Sequence, residues 1–282
     1  MDDGGGLFIY LGVASKLALY LIALLAAGIA LSVAGGVIAA ASARKWLVSA
    51  GWLALGAVII AGLRACLTAL ELGDIALVSM VWDMQRSSLV ALFLGFLTLM
   101  ACLLTSGMVQ RVFLIVGAFL MCTSFALTGH TQALEAPGLF SVLVAGHVII
   151  AAFWLSAPFV LWPRQDQSDE AVQAACARFG AIAIVAVPLL FVGGAILAWK
   201  LGGGFGGLTS SSYGLVLGAK SLLASGALGL GAINKTAIAR LLKSDALAGR
   251  IALKATLRID ALLFCGALVA ISLATTTFGP NS

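Results

Sequence analysis

The chain has 282 residues, of which 62% are hydrophobic and only 10% are charged. Its mean hydropathy is +1.14. A soluble protein of this size needs more charged and polar side chains to cover its surface, so the composition excludes a soluble globular fold. The formal net charge of +5 is accounted for by the Lys and Arg residues that cytoplasmic loops of membrane proteins collect, so it does not indicate a nucleic-acid partner.

Apolar stretches of about 20 residues recur along the chain, with short polar interruptions between them. A helix needs roughly 20 residues to cross about 30 Å of hydrocarbon, where the backbone has no water to bind. The pattern predicts an all-α, polytopic membrane bundle of about eight transmembrane helices, forming a single transmembrane domain over residues 1–282. The predicted helices are Leu17–Ala41, Trp46–Leu63, Ser87–Leu104, Val112–Gly129, Leu139–Trp162, Phe179–Trp199, Tyr213–Ile233 and Thr256–Thr277.

The first helix is the hardest to delimit, because Leu7–Ala43 is one apolar run broken only by Lys16. The run is too long for one upright helix and too short for two helices with a loop. It predicts one long or tilted helix with an irregular start. Asp2 and Asp3 lie where a signal peptide carries positive charge, so we expect an uncleaved insertion signal.

Lys and Arg side chains predict the orientation. Eleven fall in the connections after the first, third, fifth and seventh helices, and four fall on the opposite side. Because cytoplasmic loops collect Lys and Arg, both termini are expected outside the cytoplasm. The basic segment Asn234–Ala255 is expected to be a cytoplasmic loop that contacts anionic lipid or docks a soluble partner. The segment Gly202–Ser212, rich in Gly and Ser, is expected to be an external turn.

The chain contains no CxxC, HExxH or phosphate-binding GxxxxGK[ST] motif, so we expect no enzyme activity. It has only two histidines, His130 at the outer end of the predicted fourth helix and His147 about two turns into the fifth. Both lie toward the same side of the membrane and can face one outward-open cavity. Imidazole suits copper, zinc or haem iron. The alternative is that each ring hydrogen-bonds neighbouring helices and has a structural role.

Met80 and Met84 lie four residues apart in a predicted external segment. If that segment is helical, both thioethers point to one face and can bind Cu(I). The alternative is packing at the membrane surface, with Trp82 as an interfacial anchor. On the seventh helix, Lys220 is expected at about the depth of His147.

Two further polar residues, Asn234 and Asp260, are predicted near the cytoplasmic ends of the last two helices, where they can meet. Pro188 predicts a kink in the sixth helix.

Short motifs in a fixed order carry a resemblance to a known family. They are Gly129-His130, His147 followed by Trp154, Arg178-Phe179, Tyr213-Gly214, Lys220, Gly231-Ala232-Ile233-Asn234 and Asp260. In this pattern the chain resembles the copper-resistance D (CopD) family of bacterial inner-membrane proteins, over roughly residues 120–277. The chain departs from the family in having Asp260 where Glu is usual and Leu155-Ser156-Ala157-Pro158 after Trp154.

The resemblance implies a protein of the bacterial inner membrane, with periplasmic termini, that binds copper on the periplasmic side and moves it inward or to a partner. His130 and His147 are the expected ligands, and Met80 and Met84 form a weaker site of first capture. Lys220 and Trp154 are then expected to line the cavity. The expected partners are the copper ion, the lipid bilayer and a periplasmic copper-binding protein.

Two other functions stay open at this point. The two histidines can be the axial ligands of one b-type haem in an electron-transfer protein. Alternatively, the protein can be a membrane scaffold that recruits a partner through its basic cytoplasmic loop.

Overall fold

The computed structural model of the protein describes residues 3–72, 75–128, 137–201 and 204–277. Within these ranges, every regular element is a helix. The α-helices are α1 (Asp3–Ala34), α2 (Ala40–Leu72), α3 (Ile75–Ala101), α4 (Gly107–Ser124), α5 (Pro137–Leu155), α6 (Ala157–Val160), α7 (Asp169–Leu201), α8 (Gly204–Ser210), α9 (Ser212–Ile233), α10 (Ala239–Ser244) and α11 (Ala246–Thr277). A 3-10 turn, Cys102–Leu104, follows α3, and a π-helix, Asn234–Ile238, joins α9 to α10.

Among the described residues, eight helical stretches are long and apolar enough to cross a membrane. They are Ile9–Ala34, Ala40–Leu70, Val78–Leu104, Gly107–Ser124, Gly138–Val160, Asp169–Leu201, Ser212–Ser244 and Ala246–Thr277. The predicted all-α fold with about eight spans is therefore confirmed. Successive spans run in opposite directions, so the bundle has two ends. We call the end where α1 begins and α11 ends the terminal end, and the opposite end the arginine end.

Helix α1 lies at the centre of the bundle and contacts α2, α4, α5 and α11. Its inner surface is built from small side chains. Ala23, Ala26, Ala27 and Ala30 are all buried. Small residues let helix backbones approach closely, which is how membrane helices gain packing energy without a hydrophobic driving force between them.

The closest approach is between α1 and α5. A Cβ atom placed on Gly28 would lie only 2.1 Å from the carbonyl oxygen of Ala152. One turn further, the buried hydroxyls of Ser32 and Ser156 are 3.1 Å apart. Ser156 donates to the carbonyl of Phe153 at 2.7 Å. Its proton is then committed, so Ser32 is the donor of the hydrogen bond between the two helices.

Large side chains fill the contact between α5 and α7. The rings of Phe153 and Phe179 stack with their centroids 4.6 Å apart. Trp154 is 4% exposed, and its ring lies 5.4 Å from that of Phe264 and 6.3 Å from that of Phe191. These aromatic contacts belong to a second core that α5 shares with α7 and α11.

The first span is one helix, as predicted, but its start is regular and its end comes earlier. Helix α1 is continuous from Asp3 and stops at Ala34, seven residues before the predicted boundary. Gly36 follows with φ +71°, a conformation that glycine adopts without a steric cost. The turn therefore depends on a glycine inside an apolar run, where hydropathy alone gives no boundary.

The expected basic loop Asn234–Ala255 is instead mostly helical, so that prediction is wrong. The π-helix and α10 extend the seventh span to Ser244, and α11 begins at Ala246. Only Asp245 separates them, and its carboxylate accepts a hydrogen bond from the backbone N–H of Ala248 at 3.0 Å. An acidic cap at a helix N-terminus is stabilising, so α11 begins ten residues before its predicted start. Similarly, α8 occupies most of the predicted external turn.

Candidate functional site

His147 lies half-buried on α5 and faces α7. Its Nδ1 atom is 3.1 Å from the backbone carbonyl oxygen of Leu190. Because a carbonyl oxygen only accepts, Nδ1 must carry the proton and donate it. In the neutral ring, Nε2 then has the free lone pair, which is the arrangement of a metal-binding histidine held by a backbone carbonyl.

Gly194 makes this contact possible. A Cβ atom at Gly194 would lie 3.1 Å from Cε1 and 3.5 Å from Nδ1 of His147. Gly194 lies four residues after Leu190, so its missing side chain leaves the Leu190 carbonyl accessible from the side of the helix. The imidazole packs into this gap. The neighbouring Gly193 has an ordinary distance of 3.6 Å to Leu143 and has no such role.

Lys220 lies on α9 and is half-buried. It is close enough to His147 for its charge to act on the ring. In the part of the chain that the structure describes, Lys220 forms no ion pair. The structure therefore places a lysine near the histidine.

Two other predicted site residues are His130 and Trp154. His130 lies outside the described residues, so its distance from His147 is not defined. Trp154 packs among aromatic rings in the core between α5, α7 and α11.

The two predicted methionine ligands lie one helical turn apart on α3 and are exposed. Met80 is 50% exposed and Met84 is 66% exposed. Trp82, between them, is 55% exposed, and Asp83 forms a surface ion pair with Arg86 at 3.3 Å. The segment is helical, which is the condition under which both thioethers share a face. The two methionines lie on α3, whereas His147 lies on α5.

A polar cluster near the terminal end was not predicted. Arg64 on α2 donates to the carbonyl of Gly12 and to the hydroxyl of Ser15, both at 2.7 Å. Lys16 donates to the carbonyl of Thr275 at 3.0 Å. Thr275 lies in the last turn of α11, where the helix dipole favours a cation. Sequence reasoning used Lys16 and Arg64 only as topology markers, although any cation within a span is a candidate for a structural or functional role.

Asn234 and Asp260 were expected to meet, and each has a different environment. The side-chain oxygen of Asn234 accepts a hydrogen bond from Thr256 at 2.6 Å. Asp260 lies one turn beyond Thr256 and is 3% exposed, and its Oδ1 atom has no hydrogen-bond partner in the part of the chain that the structure describes. A buried carboxyl oxygen without a partner among the described residues of the last span is costly to retain.

Over the described residues, no group of three or more His, Cys, Asp or Glu side chains could hold a metal ion. A metal at His147 would need ligands of another type or from the rest of the chain. Cu(I) accepts thioether and imidazole ligands in low number, so this donor set does not exclude it.

The fold and these buried polar groups define a multi-pass helical membrane protein. Residues 173–274 of the chain match the family model described as copper resistance protein D, CopD, and form a domain of that family. It is a family of copper resistance membrane proteins and not a known enzyme family, so a role in copper resistance is indicated. No curated protein and no solved structure matches the chain.

The matched segment begins within α7 and ends near the end of α11. It contains Leu190, Gly194, Lys220 and Asp260. His147 precedes it by 26 positions and reaches it through the Leu190 carbonyl. The structure thus connects the histidine on α5 to the family domain by a direct contact that the sequence does not show.

Proposed function

We propose that this protein binds copper through His147 toward the terminal end of the bundle and moves it inward across the bacterial inner membrane or passes it to a partner. The observation that carries this proposal is the hydrogen bond from Nδ1 of His147 to the Leu190 carbonyl. It orients the ring and leaves Nε2 as the coordinating atom. The CopD domain supports copper as the ion.

His130 is the proposed second ligand, because it is the only other histidine in the chain. Met80 and Met84 are proposed as a weaker site that captures copper before it reaches the histidines. Both side chains are exposed and lie in the first two turns of the span Val78–Leu104, which supports a site of first capture near the end of that span. A periplasmic copper-binding protein is the proposed donor or acceptor.

Lys220 is proposed to influence which copper ion is bound. Coulomb repulsion is proportional to charge, so a nearby ammonium group opposes Cu(II) twice as strongly as Cu(I). Imidazole and thioether ligands also suit the monovalent ion. The proposed cargo is therefore Cu(I).

The topology proposed with this function has both termini in the periplasm. The eight candidate spans of the described residues support termini on one side of the membrane, and the Lys and Arg side chains that collect at the opposite, arginine end support that side as the periplasm. A cytoplasm-specific reporter fused to the C-terminus should be inactive, and a periplasm-specific reporter at the same position should be active. The reverse pattern would place His147 toward the cytoplasm and contradict uptake from the periplasm.

Copper titration against a competing chelator tests the ligands. We expect Cu(I) binding to weaken at least about 10-fold in His147→Ala and in His130→Ala, by analogy with the 10- to 100-fold losses at supporting residues. The Met80→Ala/Met84→Ala double variant should lose less, and Met108→Ala, which alters an exposed methionine elsewhere, serves as its control. Lys220→Met should strengthen Cu(II) binding more than Cu(I) binding.

Two results would contradict the proposed site. If both histidine variants bind Cu(I) as tightly as the wild type, the histidines are structural. If only the methionine variant weakens, copper is held on α3. An absorption spectrum of the purified protein addresses the haem alternative, since a bound haem would give a strong Soret band and the copper proposal expects none.

A further inference from the structure

A recess at the arginine end is separate from the copper proposal. It has a volume of about 360 Å³ and lies between the start of α2, the segment around α6, and α11. Two of its lining side chains, Arg164 and Arg258, are exposed cations. In the part of the chain that the structure describes, neither guanidinium group forms an ion pair, whereas Arg250 nearby is paired with Asp169 at 2.6 Å.

Each of these two arginines is instead held against a tryptophan. The guanidinium carbon of Arg164 lies 4.5 Å from the ring centroid of Trp46, and that of Arg258 lies 5.5 Å from the ring centroid of Trp162. Stacking on an aromatic ring restricts a guanidinium group but leaves its N–H donors free at the edge. The recess therefore presents two oriented groups of donors with positive charge, and the described residues supply no anion that pairs with them.

The tryptophans also indicate the depth of the recess. Indole rings concentrate at the level of the lipid headgroups, because one side of the ring is apolar and the N–H is polar. Below the arginines, the wall becomes apolar and includes Phe159, which is 44% exposed, and Ala261. A ligand that fits must place an anionic group between the arginines and a hydrocarbon portion along this wall.

We propose that this recess is a binding site for an anionic phospholipid. Its phosphate accepts hydrogen bonds from Arg164 and Arg258, and bidentate guanidinium–phosphate bonds are strong and directional. Its acyl chains run past Phe159 along the lipid-facing side of the bundle. A basic recess between membrane helices at the side where Lys and Arg collect is the type of site that binds anionic headgroups. Free inorganic phosphate shares the charge of the headgroup but lacks its hydrocarbon portion.

The test uses the full-length protein, delipidated in detergent and titrated with defined lipids, with adducts counted by native mass spectrometry. We expect phosphatidylglycerol to bind at least about 10-fold more tightly than phosphatidylcholine with the same acyl chains. The Arg164→Gln/Arg258→Gln variant should bind phosphatidylglycerol about 10- to 30-fold more weakly, on the basis of the contribution of each basic residue near a membrane surface. Its binding of phosphatidylcholine should weaken less, because the choline cation cancels the net charge of that headgroup.

The matched control is Arg240→Gln/Lys243→Gln, which removes the same charge from exposed positions on α10 outside the recess. It should retain phosphatidylglycerol binding. An equal loss of phosphatidylglycerol binding in the control would show that the lipid responds only to the total positive charge at this end of the bundle. That result would contradict the proposed binding site. Equal binding of the two lipids by the wild type would also overturn it.

A second variant tests the apolar wall without touching the charges. Ala261→Phe fills the floor of the recess and should weaken phosphatidylglycerol binding severalfold in protein that still elutes as a single folded species. Unchanged lipid binding in Ala261→Phe would contradict the site. Displacement of phosphatidylglycerol from the wild type by millimolar inorganic phosphate would show that the recess recognises phosphate alone, and would overturn the lipid assignment.

Discussion

Helix α5 contacts α1 on one face and α7 on another, and the two contacts are built differently. Against α1, a glycine lies directly on the backbone of α5, and two serine hydroxyls supply the polar contact. Against α7, phenylalanine and tryptophan rings fill the space, and an imidazole reaches a backbone carbonyl through a gap left by Gly194. The α1 contact has no room for a ligand or a larger side chain, whereas the α7 contact includes an atom, Nε2 of His147, that has no hydrogen-bond partner among the described residues.

The comparison suggests a division of roles between the two faces. Close backbone packing without a hydrophobic driving force holds α1 and α5 together, as expected for the centre of a membrane bundle. The contact with α7 also includes a polar group, the imidazole of His147, and a polar group within a membrane span is expensive to keep. Substitutions on the α1 side should therefore affect folding, and substitutions on the α7 side should affect copper binding.

The largest effect is expected from Gly28→Ala. The added Cβ would lie 2.1 Å from the Ala152 oxygen, a backbone atom, so one helix must move away from the other. Overpacking that forces backbone to shift costs about 1–3 kcal/mol and occasionally more, and so short a contact with a backbone atom is expected at the upper end. Thermal unfolding in detergent should show a large loss of stability or no folded protein. Gly62→Ala, with no atom within 4 Å of the new Cβ, is the control and should be at least as stable as the wild type.

A smaller and different effect is expected from Gly194→Ala. Its Cβ would lie 3.1 Å from Cε1 of His147, so the ring must shift by a few tenths of an ångström and its bond to Leu190 weakens. We expect about 10-fold weaker Cu(I) binding, as for other residues that orient a ligand, with little change in stability. Gly193→Ala, where the new Cβ meets only Leu143 at 3.6 Å, should bind copper normally. If the two variants bind copper with equal affinity, the hydrogen bond from His147 to Leu190 does not contribute to copper binding.

The smallest effect is expected from the hydroxyl pair on the α1 side. A double-mutant cycle with Ser32→Ala and Ser156→Ala should give a coupling free energy of about 0.6 kcal/mol, the average for hydrogen bonds between membrane helices. The two hydroxyl oxygens are buried and 3.1 Å apart, so they form the kind of hydrogen bond between membrane helices to which this average applies. Copper affinity should be unaffected in all three variants. A coupling larger than the cost of Gly28→Ala would reverse the proposed ranking of packing over polar contacts.

The sequence allowed the eight spans and the copper-resistance family domain to be predicted, because hydropathy and short ordered motifs are local properties. It did not allow Leu190 and Gly194 to be assigned as partners of His147, because that contact depends on the rotation of α7 relative to α5. The helical course of residues 234–255 was missed for a related reason. Basic residues reduce hydropathy without reducing helix propensity, so a helix that continues past the membrane resembles a loop.

The carbonyl that orients His147 lies two residues after Pro188, inside a helix that is continuous from Asp169 to Leu201. Proline has no N–H to donate and its ring crowds the preceding turn, so the curvature of α7 near this point is less constrained than elsewhere. The direction of the imidazole on α5 consequently depends on the curvature of α7 near Pro188. A change in the curvature of α7 would alter the direction of the Nε2 lone pair without moving α5 itself.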